Sequence, residues 1–168
     1  MPTWKFHRTA AILLLVSALG GCASYSGYGL KPGIATADEV QRTMGVPRNI
    51  HREQDGGESW EYPRGPLGVE TFMVRLDKNR VLREVEQVLN EKNFARIEVG
   101  KSGPEDVLRA IGSPWRTGRF ERRKEEFWDY RFRDTWGYDS QFHVIFDESG
   151  VVKQTMAIRE FTPSDRKH

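Results

Sequence analysis

Hydrophobic and polar positions along the chain change their period in a fixed order, and that order occurs twice. In the first half, Ala37, Val40 and Met44 lie three or four positions apart, whereas apolar and polar residues alternate over residues 70–77. Spacing of three and four predicts one face of an amphipathic helix, and alternation predicts a strand with one buried side. We therefore expect a short helix followed by strands.

Residues with known capping preferences mark both ends of this first helix. Thr36 and Glu39 have the Thr-x-x-Glu spacing of a capping box, in which two side chains bind backbone amides at a helix start. Gly45 can adopt the left-handed conformation that ends a helix, and Pro47 prevents its continuation. A helix this short needs a sheet to pack on. Alternation and turn residues predict strands near residues 49–52, 59–62, 70–77 and 80–89.

The second half repeats these signals. The capping residue of the second helix is Ser102 or the residue after it. Ser102 and Glu105 form a second capping-box candidate, and Pro104 suits the first helical turn. The apolar face of this helix comprises Val107, Leu108 and Ile111. Strands are predicted near residues 116–120, 125–133, 138–147 and 151–160. The polar residues 90–93 are predicted to be the hinge between the halves.

Individual residues of the two halves correspond at a nearly constant separation. The residues that recur 67 positions later are Gly33, Val40, Gly45 and Pro47. The Trp-acid-Tyr tripeptide at residues 60–62 recurs at residues 128–130, so the offset there is 68. A repeat of this period indicates one supersecondary unit used twice.

We therefore predict an α+β fold of two tandem modules, each a short helix or helix pair packed on a three- to four-stranded antiparallel sheet. The first module is assigned to residues 30–90 and the second to residues 94–160. Modules of about 65 residues are near the lower limit for an independent hydrophobic core. Because the chain has 1 cysteine, no disulfide can staple either module, so we expect the two to pack together.

The amino terminus has the features of an export signal. Lys5 and Arg8 precede an apolar run over residues 10–19, which is shorter than the ~20 residues needed to cross a bilayer. The tetrapeptide that follows, Leu19-Gly20-Gly21-Cys22, resembles a bacterial lipobox, which signal peptidase II cleaves ahead of a cysteine that carries diacylglycerol. We therefore predict a lipoprotein signal peptide at residues 1–21.

The same segment predicts a membrane anchor. Covalent diacylglycerol and an N-acyl chain such as palmitate on Cys22 would provide stable attachment. Ala23 follows the cysteine where an aspartate would direct sorting elsewhere, which implies the periplasmic face of the outer membrane. Residues 22–29 are predicted to be a tether and residues 161–168 a flexible tail. A chance cysteine in a plain signal peptide or membrane anchor is the alternative.

Charge excludes one class of partner. Removal of residues 1–21 would discard Lys5 and Arg8 and leave 24 basic against 24 acidic residues. The mature chain therefore has no basic excess of the kind that binds nucleic acid.

These motifs together resemble the SmpA/OmlA (BamE) outer-membrane lipoproteins. The shared pattern is Gly-x-x-(Thr/Ser)-x-x-(Glu/Asp)-Val-x-x-x-x-Gly-x-Pro followed by a Trp-(Glu/Asp)-Tyr strand. The matching residues are Gly33, Thr36, Val40, Gly45, Pro47 and residues 60–62, and again Gly100, Val107, Gly112, Pro114 and residues 128–130.

The resemblance implies a fold and a compartment. The BamE member of the family supports the outer-membrane β-barrel assembly machine and touches phosphatidylglycerol, but it has a single module. Two modules imply a paralogous lipoprotein in the same compartment. The tandem plan is similar to that of the secreted β-lactamase inhibitor protein, whose modules carry disulfides that this chain cannot form.

Strand parity separates a core side from a second, mixed side. The aromatic residues Trp128, Tyr130 and Phe132 share one side of their strand and are predicted to be core. The opposite faces carry Glu61, Met73, Arg75, Asp129, Arg131, Arg133 and His143, with Trp136, Tyr138 and Leu67 at a rim. A solvated face is the simpler interpretation. The alternative is a protein-binding surface, because tryptophan, tyrosine and arginine dominate interfaces.

No catalytic arrangement stands out. His51, His143 and His168 lie far apart in dissimilar contexts, and no histidine or cysteine pair has metal-ligand spacing. We expect no metal, no cofactor and no small-molecule substrate.

Three functional hypotheses follow. The leading one is a non-enzymatic scaffold that binds an envelope protein, with a β-barrel assembly factor as the leading partner. The second is an inhibitor or sequestering module for a periplasmic enzyme, and the third is an envelope enzyme of unknown chemistry.

Overall fold

The computed structural model describes residues 24–65 and 68–160, which form two four-stranded antiparallel sheets and three helices. The first sheet has the order β1 (Asn49–Arg52), β2 (Glu58–Arg64), β3 (Glu70–Leu76), β4 (Leu82–Gln87). The second has the order β5 (Arg116–Phe120), β6 (Glu125–Arg133), β7 (Asp139–Phe146), β8 (Val152–Arg159). Helix α1 (Ala37–Met44) precedes the first sheet, and α2 (Glu91–Phe94) and α3 (Pro104–Ile111) precede the second. The predicted α+β fold of two tandem modules is confirmed.

The first helix begins and ends where the capping residues indicate. The backbone N–H of Thr36 donates to Glu39 Oε2 at 2.9 Å, and the N–H of Glu39 donates to Thr36 Oγ1 at 3.4 Å. Gly45 ends the helix with a φ of 87°, in the region that favours glycine. The apolar side of α1 is buried on the first sheet.

The second long helix begins at the later of its two predicted caps, so the capping-box candidate of Ser102 and Glu105 is displaced by one residue. Gly103, and not Ser102, is the N-cap, and its N–H donates to Asp106 Oδ2 at 2.9 Å. Ser102 instead accepts a hydrogen bond from the N–H of Glu98. Since the acceptor must lie three residues after the cap, Asp106 takes the role assigned to Glu105.

The predicted hinge at residues 90–93 is largely a helix. Asn90 caps α2 by accepting a hydrogen bond from the N–H of Asn93 at 3.0 Å. Phe94 at the end of α2 is buried and stacks on Phe142, with ring centroids 4.0 Å apart. The connection is therefore part of the second core.

Other predictions about the chain ends fall partly outside the described residues. The signal peptide at residues 1–21, the lipidated Cys22, the rim residue Leu67 and the tail at residues 161–168 all lie outside them. Of the predicted tether, Ser24 and Tyr25 contact the first module.

In both modules, an equivalent tyrosine donates a hydrogen bond to the end of the helix. The hydroxyl of Tyr62 donates to the carbonyl of Gly45 at 3.1 Å, and the hydroxyl of Tyr130 donates to the carbonyl of Gly112 at 3.0 Å. Each glycine ends the helix of its module. The repeated tyrosine therefore ties the end of a helix to the sheet beneath it.

Helix α1 packs on the first sheet, whereas α2 and α3 pack on the second sheet and contact the other face of the first. Strands β3 and β6 contact each other directly. Helix α3 packs Val107 and Ile111 into the core of the second sheet. Its module contacts the first sheet through polar groups, as where Asn93 Nδ2 donates to Glu86 Oε1 at 3.0 Å. The second module thus covers the central part of the sheet face turned away from α1, where Glu61 and Met73 are buried, and leaves Glu84 at the edge exposed.

One buried carboxylate, that of Glu61 in β2, joins the modules. Its side chain is 0% exposed, and it accepts hydrogen bonds from the N–H of Ser113 at 3.1 Å and from Ser113 Oγ at 2.9 Å. Asn49 Nδ2 donates to both Glu61 Oε2 and Ser113 Oγ, at 3.2 and 3.0 Å. His51 Nε2 lies 3.5 Å from the same oxygen. Residues 52 positions apart are therefore joined around one charge.

Gly112 is required for this approach. Its φ is 79°, and a Cβ atom at this position would lie 3.3 Å from both Glu61 Cδ and Thr71 Cγ2. A larger residue would be strained in the backbone and would separate Ser113 from Glu61.

Loss of the Glu61 charge should weaken the packing of the modules. We expect Glu61→Gln to lower the free energy of unfolding by about 2 kcal/mol, because hydrogen bonds to a charged group are lost and a donor is left unpaired. Ser113→Ala should cost about 1 kcal/mol. The measurement is urea unfolding of both single variants and the double variant. A coupling energy near zero between the two substitutions would contradict this account.

The matched control is Glu84→Gln on β4, an edge strand of the same sheet. Glu84 is exposed and pairs with Arg75 at 3.3 Å. Its substitution should change the free energy of unfolding by less than about 0.5 kcal/mol.

The buried tyrosine hydroxyls of Tyr62 and Tyr130 should make the free energy of unfolding fall at high pH. Burial raises the pKa of Tyr62 to about 12, and burial raises the pKa of Tyr130 well above its ordinary value. A raised folded-state pKa means that the stability contribution is complete below the unfolded pKa of about 10 and is lost as the pH rises toward about 12. We expect Tyr62→Phe to reduce this loss, as measured by urea unfolding at a series of pH values. An unchanged pH dependence in Tyr62→Phe would contradict the prediction, and exposed Tyr28→Phe is the control.

Candidate protein-binding face

The predicted surface residues divide between two faces. Glu61 and Met73 are buried on the face of the first sheet that the second module covers, and Arg75 lies half-buried beside them with Glu84 and Glu86. The expectation that this sheet face is exposed is therefore wrong for Glu61 and Met73. The physical reason is that the modules stack and do not lie side by side, so the second module covers the face.

The other predicted residues lie together on the outer face of the second sheet. We define this outer face by the side chains that point away from α3. In β6 and β7 these include Asp129, Arg131, Arg133 and His143. The four strands of this sheet also place apolar side chains on the same face. Those that are partly or largely exposed are Phe120, Phe127, Ile145, Met156 and Ile158.

Asp129 forms the polar centre of the outer face although it is almost completely buried. Arg116 Nε and Nη2 both donate to Asp129 Oδ2, at 2.8 and 2.5 Å. His143 Nδ1 lies 2.7 Å from the other carboxylate oxygen. The Asp129 charge is thus neutralised within the face, so the site offers arginine and histidine groups to a partner and conceals the carboxylate.

Arginine–aromatic stacking stiffens one side of the outer face. The guanidinium of Arg131 lies 4.4 Å from the ring centroid of Trp115, and that of Arg116 lies 5.3 Å from the same ring. Arg131 Nε also lies 4.0 Å from Glu160 Oε1. Stacked arginine and tryptophan side chains lose little conformational entropy when a partner binds.

The turn between β6 and β7 carries the remaining predicted residue, Trp136, which is 79% exposed. Asp134 organises this turn by accepting hydrogen bonds from the N–H groups of Trp136 and Tyr138, both at 2.9 Å. Burial opposes ionisation of Asp134, but these N–H groups and the guanidinium of Arg159 hold its pKa below the ordinary value. Trp136 is therefore displayed on an ordered turn at the end of the outer face.

Equivalent positions in the two sheets have different surroundings. A row across the first sheet joins Asn49, Glu61 and Met73, and the equivalent row across the second joins Arg116, Asp129 and His143. The first row is covered by the end of α3, whereas no described element covers the second row. The repeat thus presents one covered and one uncovered copy of the same sheet face.

Sequence reasoning missed Met156 and Ile158. Both lie on β8 and are exposed, and alternation along residues 152–159 is the signal that could have placed them on one face with His143. Trp115 was missed because it lies before β5, outside any alternating pattern.

The described part of the chain has neither a cluster of metal ligands nor a membrane-spanning helix. Within residues 24–65 and 68–160, no three His, Cys, Asp or Glu side chains converge as metal ligands would. None of the helices in those ranges combines the length and apolar character needed to span a bilayer.

Comparisons with known proteins relate the second module to one family. Residues 86–156 match the family model of the outer membrane protein assembly factor BamE domain. No curated protein matches the chain. Among solved structures, a DUF4309 family protein (YjgB) from Bacillus subtilis is 13% identical, covers 79% of this chain and 84% of its own, and has a TM-score of 0.31. The matched family residues contain α2, α3, β5, β6 and β7, and therefore the central strands of the outer face.

Removal of the Asp129 charge should loosen the outer face. We expect Asp129→Asn to lower the free energy of unfolding by about 2 kcal/mol, because two charge-assisted hydrogen bonds from Arg116 are lost. Urea unfolding measures this change. Asp139→Asn is the matched control, since Asp139 pairs with Arg133 at 3.5 Å on the exposed rim. Equal effects of the two substitutions would contradict a structural role for Asp129.

Proposed function

We propose, from a second module that is a BamE-like domain, that this chain is a non-enzymatic outer-membrane lipoprotein that acts as a protein-binding scaffold. The family is described as an outer-membrane protein assembly factor, which supports a protein-binding role connected with that assembly. The proposed partner is an envelope protein, and a β-barrel assembly factor is the leading candidate. Cys22 would carry the lipid that holds the chain at the periplasmic face of the outer membrane.

The observation that carries this proposal is the uncovered outer face of the second sheet. Glu61 shows what the covered copy of this face does, since it holds the end of α3 by hydrogen bonds to Ser113. The uncovered copy adds exposed Met156 and Ile158 to this strand arrangement. Exposed apolar side chains on such a sheet face favour the binding of a protein segment, because binding would remove them from water.

The chemistry of the outer face indicates the character of the partner. Arg116 and Arg131 stack on Trp115, and Arg133 lies exposed beyond them. The Asp129 carboxylate is concealed by Arg116 and His143. A partner surface that joins apolar side chains with carboxylates would complement this face, and rim charges of this kind raise the rate of association.

The inhibitor alternative predicts the same face but a different partner. A soluble periplasmic enzyme would then occupy the outer face, with Arg131 and Trp136 as anchors. The family match does not favour this alternative, so it serves here as one outcome of the test.

In-cell photo-crosslinking tests the proposal. We expect a photo-reactive residue at His143, Met156 or Trp136 to give protein adducts, because all three lie on or beside the outer face. The same residue at Glu84, an exposed position on the first sheet, is the matched control and should give few adducts. Mass spectrometry identifies the partner.

The identity and position of the adducts decide between the functions. Adducts with β-barrel assembly subunits from the outer face would support the scaffold. Adducts with one soluble enzyme would support the inhibitor instead. Equal labelling from Glu84 and Met156, or none from any position, would contradict a binding role for this face.

A further inference from the structure

The described chain begins with a segment held firmly on the first module. The N–H of Ser24 donates to the carbonyl of Thr43 near the end of α1, at 2.5 Å. The hydroxyl of Tyr25 donates to Glu70 Oε2 at 2.5 Å, and Arg64 Nε donates to the carbonyl of Tyr25 at 3.0 Å. The ring of Tyr25 also meets Phe72 edge-on, with centroids 6.0 Å apart. A free tether would make none of these contacts.

Little chain therefore separates the fold from the proposed lipid. Cys22 lies two residues before Ser24 in the sequence, and two extended residues span at most about 7 Å. If Cys22 is lipidated, the end of α1 near Thr43 must lie within that reach of the bilayer interface. The surface around α1 then meets the headgroups.

The surface around α1 has the composition expected of such a contact. Among the described residues, four large apolar side chains are more than 70% exposed, and three of them surround α1: Tyr28 at 90%, Ile34 at 71% and Val46 at 78%. Tyr28 and Ile34 line one open cavity, whose charged lining residues are the basic Lys31 and Arg42 and the acidic Glu39. Exposed apolar residues with tyrosine and basic groups are typical of the membrane interface.

We propose that the α1 surface, defined by Tyr28, Lys31, Ile34, Arg42 and Val46, lies against the headgroup region of the bilayer that the Cys22 lipid enters. This inference rests on the proposed lipid anchor. The lipid supplies the attachment, and the α1 surface fixes the orientation of the first module on the membrane. Tyr28 and Ile34 enter the interface while Lys31 and Arg42 contact lipid phosphates.

Spin labelling of the lipidated full chain tests the orientation. Because lipidation consumes the Cys22 thiol, a cysteine introduced as Tyr28→Cys, Ile34→Cys or Met156→Cys is the single free thiol. The variants are reconstituted on vesicles of phosphatidylethanolamine and phosphatidylglycerol. We expect the ratio of oxygen to water-soluble nickel collisions to be several-fold higher at positions 28 and 34 than at position 156, which is the matched control on the outer face.

A further variant separates orientation from attachment. Ile34→Asp combined with Tyr28→Asp should move a label at Val46→Cys into water, while the lipid keeps the protein on the vesicle. Mass spectrometry of the vesicle-bound chain reports whether Cys22 carries acyl groups. A chain without them would overturn both the anchor and the orientation.

Two outcomes would overturn the orientation alone. One is a lipidated chain whose labels at positions 28 and 34 are as accessible to nickel as the label at position 156. The other is dipolar broadening at position 34, which would show that a second copy of the chain, and not the bilayer, covers the α1 surface.

Discussion

The buried carboxylate of Glu61 is the interaction on which the arrangement of the modules depends. A carboxylate that is 0% exposed is stable only when hydrogen bonds replace its water, and its main donors come from Ser113 in the other module. The Glu61 site therefore specifies where α3 must end. Gly112 allows that end to approach, because a Cβ atom at this position would contact Glu61 and Thr71. The central strands of the first sheet are left with both faces covered, whereas Glu84 on the edge strand β4 stays exposed.

The repeat places a carboxylate at the equivalent position of each sheet, Glu61 in the first and Asp129 in the second, but the two have different surroundings. Asp129 occupies the position of Glu61 in the second sheet, but its donors come from the strands beside it, Arg116 and His143. The change from Asn49 to Arg116 along the equivalent row supplies a charged donor from within the sheet. Asp129 is thus satisfied without another module, and the outer face can remain open until a partner binds. This difference separates a structural module from a module with a free face.

Much of the fold could be predicted because it rests on local signals. Alternation of apolar and polar residues predicted the bounds of β1, β5 and β6 as the structure has them, because this alternation is a property of each strand alone. The cap of α1 was correct because Thr36 has a side chain that can accept a hydrogen bond. For α3, two neighbouring caps stayed open and the capping box was assigned one residue too early, because Gly103 has no such side chain and its N–H donates to Asp106.

The candidate site was less predictable because it depends on contacts between distant parts of the chain. Parity placed Glu61 and Asp129 on equivalent faces, but burial of Glu61 depends on Ser113, which lies 52 residues away. No pattern in either strand distinguishes the covered face from the open one. The second module therefore has two roles that follow from packing: it buries Glu61 and Met73 on the polar face of the first module, and it supplies an open sheet face of its own.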